Sequence, residues 1–136
     1  MAKTKYDKHL IPAPLEQGNF APVVRFSSSK HFGQNINFTM VRNCIPEPFF
    51  MDKGTHIHDF DQFLFFLGAD PMNVGEFGAE VEFCIGEEEE EHIITSSTVA
   101  YIPKGLRHCP LNFKKVDKPI LFINISLTPQ YGRVKE

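Results

Sequence analysis

The chain has 136 residues and a formal net charge of −3. That length suits one domain with a sizeable core and is short for two, and its scattered lysines and arginines offer no basic footprint for a nucleic acid. No apolar run approaches the ~20 residues that cross a bilayer, and the opening Met1-Ala2-Lys3-Thr4-Lys5 leads into polar residues instead of a signal-peptide core. A cytoplasmic protein with neither a nucleic-acid nor a membrane partner is expected. Cys44, Cys84 and Cys109, odd in number and widely spaced, read as reduced thiols, each acting as a small hydrophobe.

Taken in chain order, residues 1–35 carry Pro12, Pro14, Gly18, Pro22, Gly33 and the polar run Ser27-Ser28-Ser29-Lys30, without helical periodicity. They predict an irregular N-terminal arm, with one short strand near 23–26, that packs on the remaining domain or on a partner subunit. From residue 36 the texture changes to short β-branched and aromatic segments between turn residues, at 36–41, 55–58, 62–67, 79–85, 92–95, 98–102 and 120–127. This spacing predicts an all-β barrel or sandwich over 36–136, with little helix. No segment repeats, so one unit is expected.

Two histidines separated by one residue project to the same face of a strand, where side chains repeat every second residue. His56 and His58 can therefore offer two imidazoles to one ion, with Gln62 four residues on and His108 about fifty residues on as further members of the set. Parity extends the pattern: His56, His58, Gln62, Leu64 and Phe66 share one face if register survives the Asp59-Phe60-Asp61 turn, polar at the mouth and apolar deeper in. Tyr101 and the phenylalanines then add to an apolar lining and core. Phe63, Phe65 and Leu67 fall on the other face, which water alone would cover poorly, and this predicts a second sheet or a second subunit over them.

Pro103, Gly105, His108 and Asn112 stand at the offsets of one cupin motif, and His56 and His58 at the histidines of the other, in the right order and separation. Over roughly 36–128 the chain resembles the cupin superfamily, and the pair of motifs is far more specific than either alone. Departures are visible: Gln62 stands at the usual glutamate, Phe50 at an upstream glycine, Ser97 at another glycine, and Gly68 falls one residue early. The resemblance implies a double-stranded β-helix, or jelly-roll, barrel. It also implies a divalent metal held by His56, His58, His108 and Gln62, and often a homodimer.

Three neutral imidazoles and an oxygen donor suit iron, manganese, nickel, cobalt or zinc. Three roles stay open for Gln62: binding through its amide oxygen, hydrogen bonding to a bound water, or pointing away, with Asp61 able to replace it only if the turn shifts register. Pro103 and Gly105 shape the turn that delivers His108, and Asn112 is expected to fix a turn. Glu80 and Glu82 alternate with Val81 and Phe83; were their face the interior one, either could serve as acid or base, though an outward polar face is the simpler expectation. The five consecutive acids Glu87, Glu88, Glu89, Glu90 and Glu91 read as a solvated turn and strand start.

Two functions follow. The first is a metal-dependent enzyme of dioxygenase, isomerase or lyase type acting on a small molecule, since a three-histidine platform leaves coordination positions open. The alternative is a noncatalytic module that binds or senses a small molecule, favoured by Gln62, which cannot transfer protons as a glutamate does.

Overall fold

Among the described residues, alternation of apolar and polar side chains drives ten strands into two antiparallel sheets, with 46% strand and 5% helix. The computed structural model describes residues 5–136, so the reading of residues 1–4 lies outside the described residues. In order, the strands are β1 (Leu15–Gln17), β2 (Pro22–Ser27), β3 (Thr39–Ile45), β4 (Phe49–Asp52), β5 (Gln62–Gly68), β6 (Ala79–Ile85), β7 (Glu90–Ile94), β8 (Thr98–Ile102), β9 (His108–Val116) and β10 (Ile120–Ser126). A single helical turn, α1 (Ser28–His31), follows β2. None of the helices among the described residues is long and apolar enough to cross a membrane.

The larger sheet runs β1-β2-β3-β10-β5-β8 and the smaller β4-β9-β6-β7. Strand β5 follows the period-two expectation, its buried positions being Gln62, Leu64, Phe66 and Gly68. These inner residues meet Val81 and Phe83 of β6 and Leu111 and Phe113 of β9 across the barrel. Phe66 lies at the centre, its ring 5.1 Å from Phe122, 6.1 Å from Phe83 and 6.3 Å from Phe113. Tilted aromatic pairs at such spacing add to what burial alone contributes.

Three segments differ from the sequence reading for identifiable reasons. The expected irregular arm forms a hairpin, β1 on β2, that extends the larger sheet by pairing Val24 with Arg42 on β3. Pro14 and Pro22 flank the edge rather than break it, as proline tolerates an edge strand. The longest strand, β9, was hidden by Pro110 and by the polar Lys114-Lys115 pair. Cys109 has φ of 78°, which interrupts the pleat, so the consecutive residues His108 and Cys109 are both buried. Conversely, 55–58 is no strand: His56 makes one isolated antiparallel bridge to His108.

The C-terminal residues return across the barrel mouth. Val134 N–H donates to the Ile57 carbonyl at 3.0 Å, and the Pro129 carbonyl accepts from Ser27 Oγ at 2.7 Å and Ser29 N–H at 3.0 Å. Arg107 closes the end through an ion pair with Glu136.

Candidate metal centre

The two histidine segments are joined through their backbones. His56 N–H donates to the His108 carbonyl at 3.2 Å and His108 N–H to the His56 carbonyl at 3.1 Å. The turn after β8 is docked on the segment before β5: Gly105 N–H donates to the His58 carbonyl at 2.9 Å, and Lys104 N–H to Asp61 Oδ1 at 2.9 Å. Gly105 has φ of 85°, a conformation that glycine adopts without a Cβ penalty. Asp61 is thus committed to this turn and to the Tyr101 hydroxyl.

As a result the ring centroids of His56 and His108 lie 4.4 Å apart, those of His56 and His58 4.7 Å, and those of His58 and His108 5.1 Å. One ring nitrogen from each residue falls within 4.8 Å of the others, close enough to share an ion. All three rings are buried, His58 and His108 retaining 2% exposure each.

Hydrogen bonds at the outer nitrogens set the ring orientation. His58 Nδ1 lies 2.6 Å from the Gly132 carbonyl and His108 Nδ1 3.0 Å from the Leu106 carbonyl. A carbonyl only accepts, so both protons sit on Nδ1 and both Nε2 atoms keep a lone pair. This second layer of bonds is what holds imidazoles ready for a metal. His56 Nδ1 is buried without a hydrogen bond, 3.4 Å from Asp52 Oδ2. Burial pulls His56 down to about 3, reinforced by the charges of His108, Arg133 and His58. Burial likewise lowers His58 and His108. Neutral imidazoles at neutral pH are the ligating form.

Solved structures share this architecture. Lactobacillus farciminis oxalate decarboxylase in a formate complex superposes with a TM-score of 0.58 at 13% identity over 90% of this chain and 33% of that one. A recombinant oxalate oxidase in complex with glycolate gives 0.50 at 16% identity over 82% of this chain and 53% of that one. Both enzymes are cupins. This chain has the cupin fold. Peruvianin-I, titled a cysteine peptidase from Thevetia peruviana latex, also superposes, with a TM-score of 0.62 at 10% identity over 96% of this chain and 78% of that one. The chain spans 28% to 30% of the Bacillus subtilis oxalate decarboxylase chains it matches. No family model and no curated protein matches it in sequence.

In this cupin barrel Gln62 is buried beside the histidine end of β5, and its amide nitrogen donates to Asn124 Oδ1 at 3.0 Å and Ser126 Oγ at 3.1 Å. A glutamate there, being acceptor-only when ionised, would face two oxygens with nothing to donate. The departure from the motif is therefore matched by its neighbours on β10. Leu64 and Phe66 lie deeper, inside the packed core.

Other sequence expectations are corrected by strand parity. Tyr101 does not line the interior: it is 54% exposed on the outer face of the larger sheet, stacked on Phe63 at 5.1 Å. Glu80 and Glu82 lie on the outward polar face that was the simpler expectation, because Val81 and Phe83 take the inner positions of β6. Asn112 fixes no turn; it sits within β9 opposite Glu82 and donates to Glu82 Oε1 at 3.2 Å. Neither glutamate can serve the histidine site as an acid or base.

Four contributors carry no motif. Asp52, on β4, stands beside His56 and accepts from Arg133 Nη2 at 2.8 Å. Cys109 forms a second set of nearby donors with Asp52 and His56. Burial pushes its thiol up to about 12. Tyr131 places its hydroxyl 3.5 Å from His58 Nε2 and its ring 5.0 Å from the His58 ring. Phe60 stacks on the same imidazole at 4.6 Å. A burst of turn residues, Thr128-Pro129-Gln130-Tyr131-Gly132, was the one available hint that this segment folds back.

Proposed function

We propose that this cupin barrel binds one divalent transition metal through His56, His58 and His108 and acts as a metal-dependent enzyme on a small molecule. The observation that carries the reading is the pair of carbonyls, Gly132 and Leu106, that fix the His58 and His108 protons outward and direct two Nε2 lone pairs to one point. Iron, manganese, nickel, cobalt and zinc all suit such donors. The Gln62 carbonyl oxygen is the end of that side chain left for a fourth contact, its nitrogen being engaged by Asn124 and Ser126. Bound there, an ion would supply Lewis-acid polarisation of a ligand's oxygens. The chain itself holds the imidazoles neutral and oriented, and the rings of buried Phe60 and of Tyr131 pack against His58.

Titles of the similar structures name oxalate, formate and glycolate, so small carboxylates head the substrate screen, followed by diketones, catechols and sugar acids. The noncatalytic reading is supported by the placement of Glu80 and Glu82 outside the barrel. Ligand-induced thermal stabilisation without product would favour it. Metal analysis of untagged protein is expected to give one ion per chain, and His58→Ala to abolish it. No stoichiometric ion after reconstitution with any of the five metals would overturn the proposal.

We also propose a cytoplasmic homodimer. The three free thiols support the compartment. Phe63, Phe65, Leu121, Ile123, Ile125, Val99 and Tyr101 share the outer face of the larger sheet, a surface suited to a second copy. Light scattering is expected to report twice the chain mass, and a monomer at micromolar concentration would remove this part.

A further inference from the structure

The C-terminal segment does more than cover the barrel. Its residues reach the histidine cluster at consecutive positions: the Gly132 carbonyl holds His58 Nδ1, Arg133 holds Asp52 beside His56, and Val134 pairs with Ile57 between the two histidines. These bonds pin Tyr131, whose ring stays 42% exposed while its hydroxyl turns in to within 3.5 Å of His58 Nε2. That nitrogen is the one left with a lone pair by the Gly132 bond, so the hydroxyl faces the point on which the three imidazoles converge.

Arg133, held by Asp52 at 2.8 Å, presents its guanidinium to the Tyr131 side chain. A guanidinium has donors and no acceptor, so the phenolic hydrogen finds no acceptor there and is left for His58 Nε2, 3.5 Å from the hydroxyl. An ion held by His58 takes the Nε2 lone pair, and the hydroxyl must then find another acceptor close by. Glu80 and Glu82 lie on the far side of their strand, Asp52 accepts from Arg133, and the Gln62 oxygen is the fourth contact of the reading above, so an exogenous ligand that shares the ion offers the hydroxyl an acceptor.

Resting on the metal reading above, we propose that Tyr131 is a positioning residue of this site, donating a hydrogen bond to a small anion bound at the metal, with Arg133 behind it. The ligand class this recognises is a compact anion, one end of which accepts from a neutral phenol. The strap thereby makes the C-terminal residues part of the binding site.

The test uses full-length protein loaded with cobalt(II) and titrated with azide, followed by visible absorption. Tyr131→Phe keeps the ring against His58 and Phe60 and removes only the hydroxyl. It is expected to take up cobalt with wild-type stoichiometry and to bind azide about tenfold more weakly, the loss typical of a hydrogen bond to a charged group. A second protein carrying 3-fluorotyrosine at position 131 leaves the packing nearly unchanged and makes the phenol a stronger donor. Its azide affinity is expected to rise a few-fold. Unchanged azide affinity in both proteins overturns the role of Tyr131 while leaving the metal site standing, and so does loss of cobalt from Tyr131→Phe, which would make the residue purely structural. Failure of the wild-type chain to take up cobalt or any of the other four metals overturns the metal reading and this proposal together.

Discussion

The two ends of the barrel interior are built from the same strands but by opposite means. Around Phe66 the space is filled by Phe83, Phe113 and Phe122, residues from three other strands that need only be apolar and of compatible shape. At the mouth, His56, His58, His108, Gln62 and Ser126 are equally buried, yet His58, His108, Gln62 and Ser126 each form a hydrogen bond with a specific partner, two of those partners being backbone carbonyls. Burying a polar group without a partner costs free energy, so this end tolerates far less rearrangement than the other.

The largest effect that would sharpen this contrast is at the floor. Phe66→Ala is expected to destabilise the chain by about 3–5 kcal/mol in urea denaturation, since a fully buried ring is removed and its neighbours relax only in part. A loss below about 1 kcal/mol would show that the floor is loosely packed and break the comparison.

An intermediate effect belongs to the mouth and depends on pH. In the folded chain burial holds His56 at about 3 and lowers His58 and His108, while the unfolded residues titrate near their ordinary 6.5. Between those limits the unfolded chain binds more protons than the folded one. Stability of the metal-free protein is therefore full above about pH 6.5 and declines progressively as the pH falls toward 3. Unfolding midpoints measured across that range check the direction, and His56→Phe should flatten the decline. A wild-type midpoint that rises on acidification would contradict burial of neutral imidazoles.

The smallest effect is expected outside both ends. Glu82→Gln, on the outer face beside Asn112, should change stability by less than about 0.5 kcal/mol and leave metal content untouched. A drop in bound metal would mean that the outer face of the smaller sheet communicates with the mouth.

Much of the site was legible because it rests on local rules. The inner face of β5, with Gln62, Leu64 and Phe66, needed only the two-residue repeat of a strand, and the turn at Pro103 and Gly105 needed only the conformational preferences of those residues. Period alone does not say which face of β6 looks inward, and so Glu80 and Glu82 stayed open until β9 was laid against them. Tyr101 was misplaced for the same reason: its inward or outward sense is set by its pairing with Phe63. Strand β9 was obscured because Pro110 removes a donor and Cys109 turns through positive φ, both signals of a chain break when seen without partners.

By itself, the amino-acid order determined that this is a β-rich chain, because side-chain alternation and turn preference act over a few residues, while the meeting of His56, His58 and His108 was only implied by the resemblance. Only the tertiary structure decided which atoms hold those histidines. The Gly132 carbonyl, the Asp52 carboxylate and the Tyr131 hydroxyl reach them from distant parts of the chain. Contacts made by a backbone carbonyl, or by a side chain delivered 73 residues away, leave no local pattern; they exist because the strap is closed by its own hydrogen bonds across the mouth.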